Sequence, residues 1–105
     1  VDVAVLYDHF TPFVLVQLEE LGFCRPGQAG GLALDGHLDL TGRLPLNPHG
    51  GQLGEAYIHG MNGIAEAVRQ LRGTSVNQIR GAVNAVVTAG TGVPTSGLVL
   101  SSEAA

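Results

Sequence analysis

Apolar positions along this chain alternate between two rhythms, and the changes of rhythm mark its elements. Residues 1–6 are apolar except at Asp2, with Val1, Val3 and Val5 β-branched. A run that short and that branched predicts a buried strand. A helix follows: Thr11 is placed to cap its N-terminus, Pro12 suits its first turn, and Gly22 suits the left-handed residue beyond its end. Phe13, Val14, Leu15, Val16, Leu18 and Leu21 cover most of its circumference, leaving Gln17, Glu19 and Glu20 as a narrow polar edge. That distribution predicts a largely buried helix. A strand handed so quickly to a helix points to an α/β domain.

Residues 25–51 lose both rhythms. Pro26, Pro45, Pro48 and scattered glycines bar a long element, while Leu32, Leu34, Leu38, Leu40, Leu44 and Leu46 alternate with smaller or polar residues. Short extended pieces in a long functional loop are expected. Helical spacing returns over residues 60–71, with Ile64, Ala67, Val68 and Leu71 on one side. Glu66, Arg69, Gln70 and Arg72 lie opposite, and Gly73 stops the helix. Strands are expected at 83–88 and 97–100, joined by the loop Ala89-Gly90-Thr91-Gly92-Val93-Pro94.

Composition narrows the function classes. The 105 residues are 45% hydrophobic and 13% charged, which allows one domain with a real core. The net charge is −4 and the basic residues, five scattered arginines, form no face for a nucleic-acid backbone. Cys24 is the single cysteine, so neither a disulfide framework nor a zinc cluster is expected. No apolar run approaches the ~20 residues of a membrane span, and no export signal is visible, so a cytoplasmic setting is expected. The chain opens at Val1 inside a strand with no initiator Met, which reads as part of a longer chain.

The richest stretch is Asn47-Pro48-His49-Gly50-Gly51-Gln52-Leu53-Gly54-Glu55-Ala56-Tyr57-Ile58-His59-Gly60-Met61-Asn62-Gly63, glycines and polar groups running into a helix. By itself it reads either as a loop packed tightly against another backbone or as an anion site at a helix start. Its spacing Asn47-x-x-Gly50-Gly51 then Gly60-x-x-Gly63 resembles the C-terminal signature of thiolases. Tyr7-Asp8-His9-Phe10 falls where thiolases carry N-E-A-F and the sterol-carrier-type group H-D-C-F. Thr88-Ala89-Gly90-Thr91-Gly92 falls on their C-x-G-G-G loop, and Leu21-Gly22-Phe23-Cys24 is also similar to the sterol-carrier-type group. The resemblance covers nearly the whole chain. It implies a thiolase-like C-terminal half-domain over residues 1–105, a mixed sheet with packed helices belonging to a layered αβαβα architecture.

The departures redirect the chemistry. Tyr57 stands in the place of the catalytic His, Ile58 in that of its Pro, and Thr88 in that of the acid/base Cys. A Claisen reaction needs an acidic thiol at the α-carbon, and a threonine hydroxyl does not replace one. A retro-aldol cleavage needs a base for a β-hydroxyl and support for a thioester enolate, and a phenol suits the first task. This agrees with a resemblance to the aldolase-type lipid-transfer proteins of bacterial steroid side-chain breakdown, carried by Tyr7-Asp8-His9-Phe10-Thr11 and Gly54-Glu55-Ala56-Tyr57-Ile58-His59-Gly60. The resemblance implies Tyr57 as principal acid/base and Tyr7 as its assistant. Gly90, Thr88, His59 and Asn47 are the oxyanion and substrate-binding candidates.

Against these stand plainer readings. Tyr57 packs on the helix with its hydroxyl satisfied by backbone, and the glycine loop is only a tight turn. His9 is a proton relay or an ordinary packed side chain, His49 faces pocket or solvent, and His37 is solvated. Cys24 is a structural thiol, and no metal is expected. The substrate is an acyl-CoA thioester, with coenzyme A part of the substrate and no bound cofactor. A homodimer with a small OB-fold partner subunit is the assembly the resemblance implies, and the chain alone is expected to be inactive. The alternatives are a non-catalytic acyl-CoA or sterol carrier, and a half whose work is dimerisation or partner docking.

Overall fold

A computed structural model describes residues 1–55, 58, 61–90 and 95–103. The elements run β1 (Val3–Val5), α1 (Thr11–Glu20), α2 (Ala29–Leu34), α3 (Gly51–Gly54), α4 (Met61–Arg72), β2 (Asn84–Ala89) and β3 (Ser96–Ser101). The strands form one mixed sheet in the order β1-β2-β3, with β1 parallel to β2 and β2 antiparallel to β3. The intervening helices thus belong to the crossover that parallel pairing requires. Strand alternation divides the core between the two faces. Ala4, Leu6 and Val86 meet Val14 and Leu18 of α1 and Ala29 of α2 on one face. Val3, Val5, Ala85 and Val87 meet Ala67, Ile64 and Leu71 of α4 on the other.

Helix ends follow the glycines closely. Beyond α1, Gly22 takes φ +81°, donates its N–H to Glu19 at 3.0 Å, and Phe23 donates to Leu18 at 3.0 Å. This is a Schellman end, closed by an apolar residue at the second position past the cap. The start differs from expectation: Phe10 is the N-cap residue, without a side-chain cap, and Thr11 is already helical. Pro12 still lies in the first turn, where its missing N–H costs nothing. Gly63 lets α4 lie directly on the sheet, since a Cβ there would stand 3.1 Å from Val5 and 3.3 Å from Val87.

Both helical faces depart from the pattern reading. Only Val14, Gln17 and Leu18 of α1 are buried, whereas Phe13 and Val16 are 42% and 50% exposed. The described elements cover α1 from one side, and a polar residue expected at its edge is turned inward. On α4, Glu66 and Gln70, expected on the outer face, are only 2% and 1% exposed. Their polar atoms are satisfied by the loop returning from α4. Gln70 donates to Glu66 at 2.8 Å and to the Asn77 carbonyl at 2.9 Å, and accepts from the Ile79 N–H at 2.9 Å. The Ser75 hydroxyl donates to Glu66 at 2.6 Å.

The segment expected to be irregular contains the short helix α2 and one parallel bridge, Ala4 to Leu46. Its leucines divide: Leu38, Leu44 and Leu46 pack into the α1-side core, while Leu34 is 90% exposed. Asp2, which interrupts the apolar run of the first strand, accepts hydrogen bonds from the N–H groups of Val83 and Asn84 at 3.0 and 2.9 Å. Those bonds favour the carboxylate and hold its pKa below the ordinary value. Among the described residues no helix is long and apolar enough to cross a membrane.

Candidate active site

The C-terminal ends of the parallel strands β1 and β2 bring the sequence motifs together. Tyr7 follows β1, Thr88 is the next-to-last residue of β2, and Gly90 follows β2 with φ +78°. Pairing of Val5 with Val87 sets this register, so residues 81 apart in sequence meet: the Tyr7 N–H donates to Thr88 Oγ1 at 2.9 Å. Gln17 closes the group. Its Nε2 donates to the carbonyls of Tyr7 and Phe13, at 2.8 and 3.1 Å, and its Oε1 accepts the Thr88 hydroxyl at 2.5 Å. Two carbonyl partners fix which end of the amide is nitrogen, and therefore which way the threonine proton points.

Tyr7 itself is 9% exposed, with its ring centroid 4.8 Å from that of His9. His9 in turn stacks on Phe13 at 5.0 Å and 11° and tilts against Phe10 at 5.0 Å. The histidine expected as relay or packed side chain is thus set inside an aromatic row leading from Tyr7 to the start of α1.

Asn47 serves β1 from its outer side. Its Oδ1 accepts the Leu6 N–H at 2.8 Å and its Nδ2 donates to the Leu6 carbonyl at 3.0 Å, which extends the strand's pairing by one residue. Its φ of +47° is a conformation that asparagine tolerates better than most side chains. Asp8 anchors the next turn by accepting the Gln52 N–H at 2.8 Å. Gly51, at φ +74°, is required there, because a Cβ would stand 1.8 Å from Asp8 Oδ2. The signature loop is therefore tied to β1 at Asn47 and to the segment after β1 at Gln52. Asn77 ties it to the loop after α4 by donating to the Pro48 carbonyl at 2.8 Å.

Tyr57 and His59 lie outside the described residues, as do Thr91, Gly92, Val93 and Pro94 of the glycine loop. Their described neighbours are held by Asn62 in the first turn of α4. Its Oδ1 accepts the Ile58 N–H at 3.1 Å and its Nδ2 donates to Glu55 at 3.0 Å.

Other candidates separate from this group. His37 is half-buried rather than solvated, in a turn where its carbonyl accepts the Leu44 N–H at 2.8 Å. His49 has both ring nitrogens buried without a hydrogen-bond partner among the described residues. Cys24 packs against the α1-side core. Burial, and then the nearby Glu19 carboxylate, push its thiol pKa up, away from nucleophilic character. Among the described residues no cluster of His, Cys, Asp or Glu is arranged to hold a metal.

Gln17, Asn62 and Asp8 organise the site, yet periodicity gave Gln17 only a place on a polar edge. The available signal was a lone amide inside the apolar run Phe13-Val14-Leu15-Val16-Gln17-Leu18. Such a residue is either an interruption or a bonded core group.

Comparison with known proteins follows the same outline. The chain is 71% identical over 100 residues to the 17-hydroxy-3-oxo-4-pregnene-20-carboxyl-CoA lyase of Mycobacterium tuberculosis, covering 95% of this chain and 26% of that protein. It is 70% identical over 100 residues to the steroid side-chain-cleaving aldolase of Thermomonospora curvata, with the same coverage of 95% and 26%. A solved structure of an Ltp2-ChsH2(DUF35) aldolase superposes with a TM-score of 0.93 at 69% identity, over 96% of this chain and 26% of that one. The chain thus spans about a quarter of the length of these relatives. Residues 1–102 match the family described as thiolase C-terminal domain-like, and the chain belongs to that family.

Proposed function

We propose that this domain forms part of a steroid side-chain-cleaving aldolase acting on a β-hydroxy acyl-CoA. The observation that carries the reading is the combination at the strand ends. The position of the thiolase acid/base thiol holds a threonine whose proton is directed at Gln17, and a buried tyrosine lies beside it. The relatives that share about 70% of the residues bear names of lyase and aldolase activity on a steroid side chain.

In the proposed reaction a base takes the β-hydroxyl proton, and the hydroxyl-bearing carbon becomes a ketone as its bond to the α-carbon breaks. The electron pair moves into a thioester enolate, which takes up a proton to give the shortened acyl-CoA. Tyr57 is the principal acid/base and Tyr7 its assistant. A phenol with an ordinary pKa of ~10 needs a surrounding that favours its anion for this task. The amide of Gly90 and its neighbours stabilise the thioester oxygen, with His59 as a further donor. Asn47 supports the substrate loop through its hold on Leu6. Coenzyme A enters as part of the substrate, and no other cofactor is required.

The same reading makes the chain one domain of a longer cytoplasmic protein that works as a homodimer with an OB-fold partner. Its support is the solved relative whose name joins two components. Tyr57→Phe in the full-length protein with its partner should lower kcat by about 10²–10⁴-fold and leave the melting temperature unchanged. Turnover at the unaltered rate would defeat the assignment. Binding of acyl-CoA with no cleavage by the unaltered protein would favour the carrier reading instead.

A further inference from the structure

We infer that Thr88 and Gln17 together act as a positioning clamp for Tyr7, and that the residue at the former thiol position no longer exchanges a proton with substrate. This rests on the aldolase reading above.

The geometry determines the direction of every bond in the clamp. Gln17 Nε2 faces two carbonyls, so its Oε1 must be the atom that meets Thr88. An amide oxygen only accepts, so the threonine proton lies on that contact. Thr88 Oγ1 simultaneously accepts the Tyr7 N–H. The one proton of the hydroxyl is committed and one of its two lone pairs is occupied. Tyr7 is thereby held on both sides of its own residue: its N–H by Thr88 and its carbonyl by Gln17.

Gln17 is 8% exposed and Val14 and Leu18 beside it pack in the core, so the clamp is fastened to the rigid part of α1. A backbone fixed at both ends sets where the Tyr7 side chain starts, and the ring, 9% exposed beside His9, is then oriented by its packing. Displacement of a reacting group by about 1 Å costs on the order of a hundredfold in rate. A thiol at position 88 would weaken both bonds, since sulfur is a poor donor and a poor acceptor. The exchange of Cys for Thr therefore gives up an acid/base group and supplies a strong local tie.

The test uses the full-length protein with its partner. Thr88→Val keeps the shape and removes the hydroxyl, and kcat should fall about ten- to a hundredfold with KM little changed. Gln17→Leu should give the same fall. The double variant should be no slower than either single one, because both remove one device. Thr88→Ser, which retains the hydroxyl, should restore most of kcat. If Gln17→Leu does not fold, Gln17→Met, which keeps the length but has no N–H to donate to the Tyr7 carbonyl, replaces it in the cycle.

Thr88→Cys separates the clamp from direct chemistry. The clamp requires a slower enzyme whose pH–rate profile keeps its shape. A rate at or above that of the unaltered enzyme, with a new limb near the thiol range of about 8–9, would show that position 88 still transfers protons and would overturn the inference. Losses that multiply in the double variant, or an unchanged kcat in Thr88→Val, would overturn it as well. Neither result touches the assignment of Tyr57. Full activity of Tyr57→Phe removes that assignment and leaves the coupling between Thr88 and Gln17 to be judged on its own cycle.

Discussion

The two faces of the sheet use one device for different ends. On the α1 face, a buried glutamine reaches the backbone after β1 and a side chain at the end of β2. On the α4 face, a buried glutamine reaches the loop that leads from α4 into β2. Each is almost fully enclosed, Gln17 at 8% and Gln70 at 1%, and each has backbone groups as partners. The difference lies in what is held. Gln17 holds the strand ends where the candidate catalytic groups converge, whereas Gln70 holds a connection at the opposite end of α4. A buried amide is thus no marker of a site by itself; the segment it restrains decides.

Three changes outside the Gln17 group sharpen this contrast. The largest effect is expected from Gln70→Ala. It removes one of the hydrogen bonds to Glu66 and the side-chain partner of the Asn77 carbonyl and the Ile79 N–H, and should cost about 2–4 kcal/mol in urea unfolding. Turnover per folded molecule should stay unchanged. A selective fall in kcat there would erase the division between the faces.

Gly63→Ala comes next. Its methyl would press on Val5 and Val87 at 3.1 and 3.3 Å, and a destabilisation of about 1–3 kcal/mol is expected. Because Val5 and Val87 are register partners next to Tyr7 and Thr88, this variant also shows how far strain on one face reaches the other.

The smallest effect belongs to Asp2. Its pKa is lowered in the folded state, so its contribution is full above the ordinary carboxylate value of about 3.9 and is lost as pH falls through the lower folded value. Asp2→Asn should remove that part of the acid sensitivity and lower stability modestly at neutral pH. Thermal melts from pH 7 down to pH 3 measure both. An unaltered acid limb would show that the bonds from the N–H groups of Val83 and Asn84 do not depend on the charge.

Much of the architecture was legible from residue order. The first strand, the helix stops at Gly22 and Gly73, and both C-terminal strands lie within a few residues of where patterning places them. Patterning failed where polar side chains meet distant backbone. A helical wheel cannot tell a solvated glutamine from one whose partners arrive from 7 to 10 residues away or more, as for Gln17, Glu66 and Gln70. It also overstated the burial of α1, because an all-round apolar helix reports what it can bury and not which neighbours the chain itself supplies.

Convergence of Tyr7 and Thr88 was implied by motif resemblance, while the contact arises from parallel register across 81 residues, which no local spacing encodes.

The asparagine that mimics a strand residue against Leu6 also has a bearing on self-association. With the Ala4–Leu46 bridge beside it, that amide seals one border of the sheet against docking by a foreign β-segment. The opposite border is the more open one, where Leu98 and Val99 of β3 stand 46% and 72% exposed.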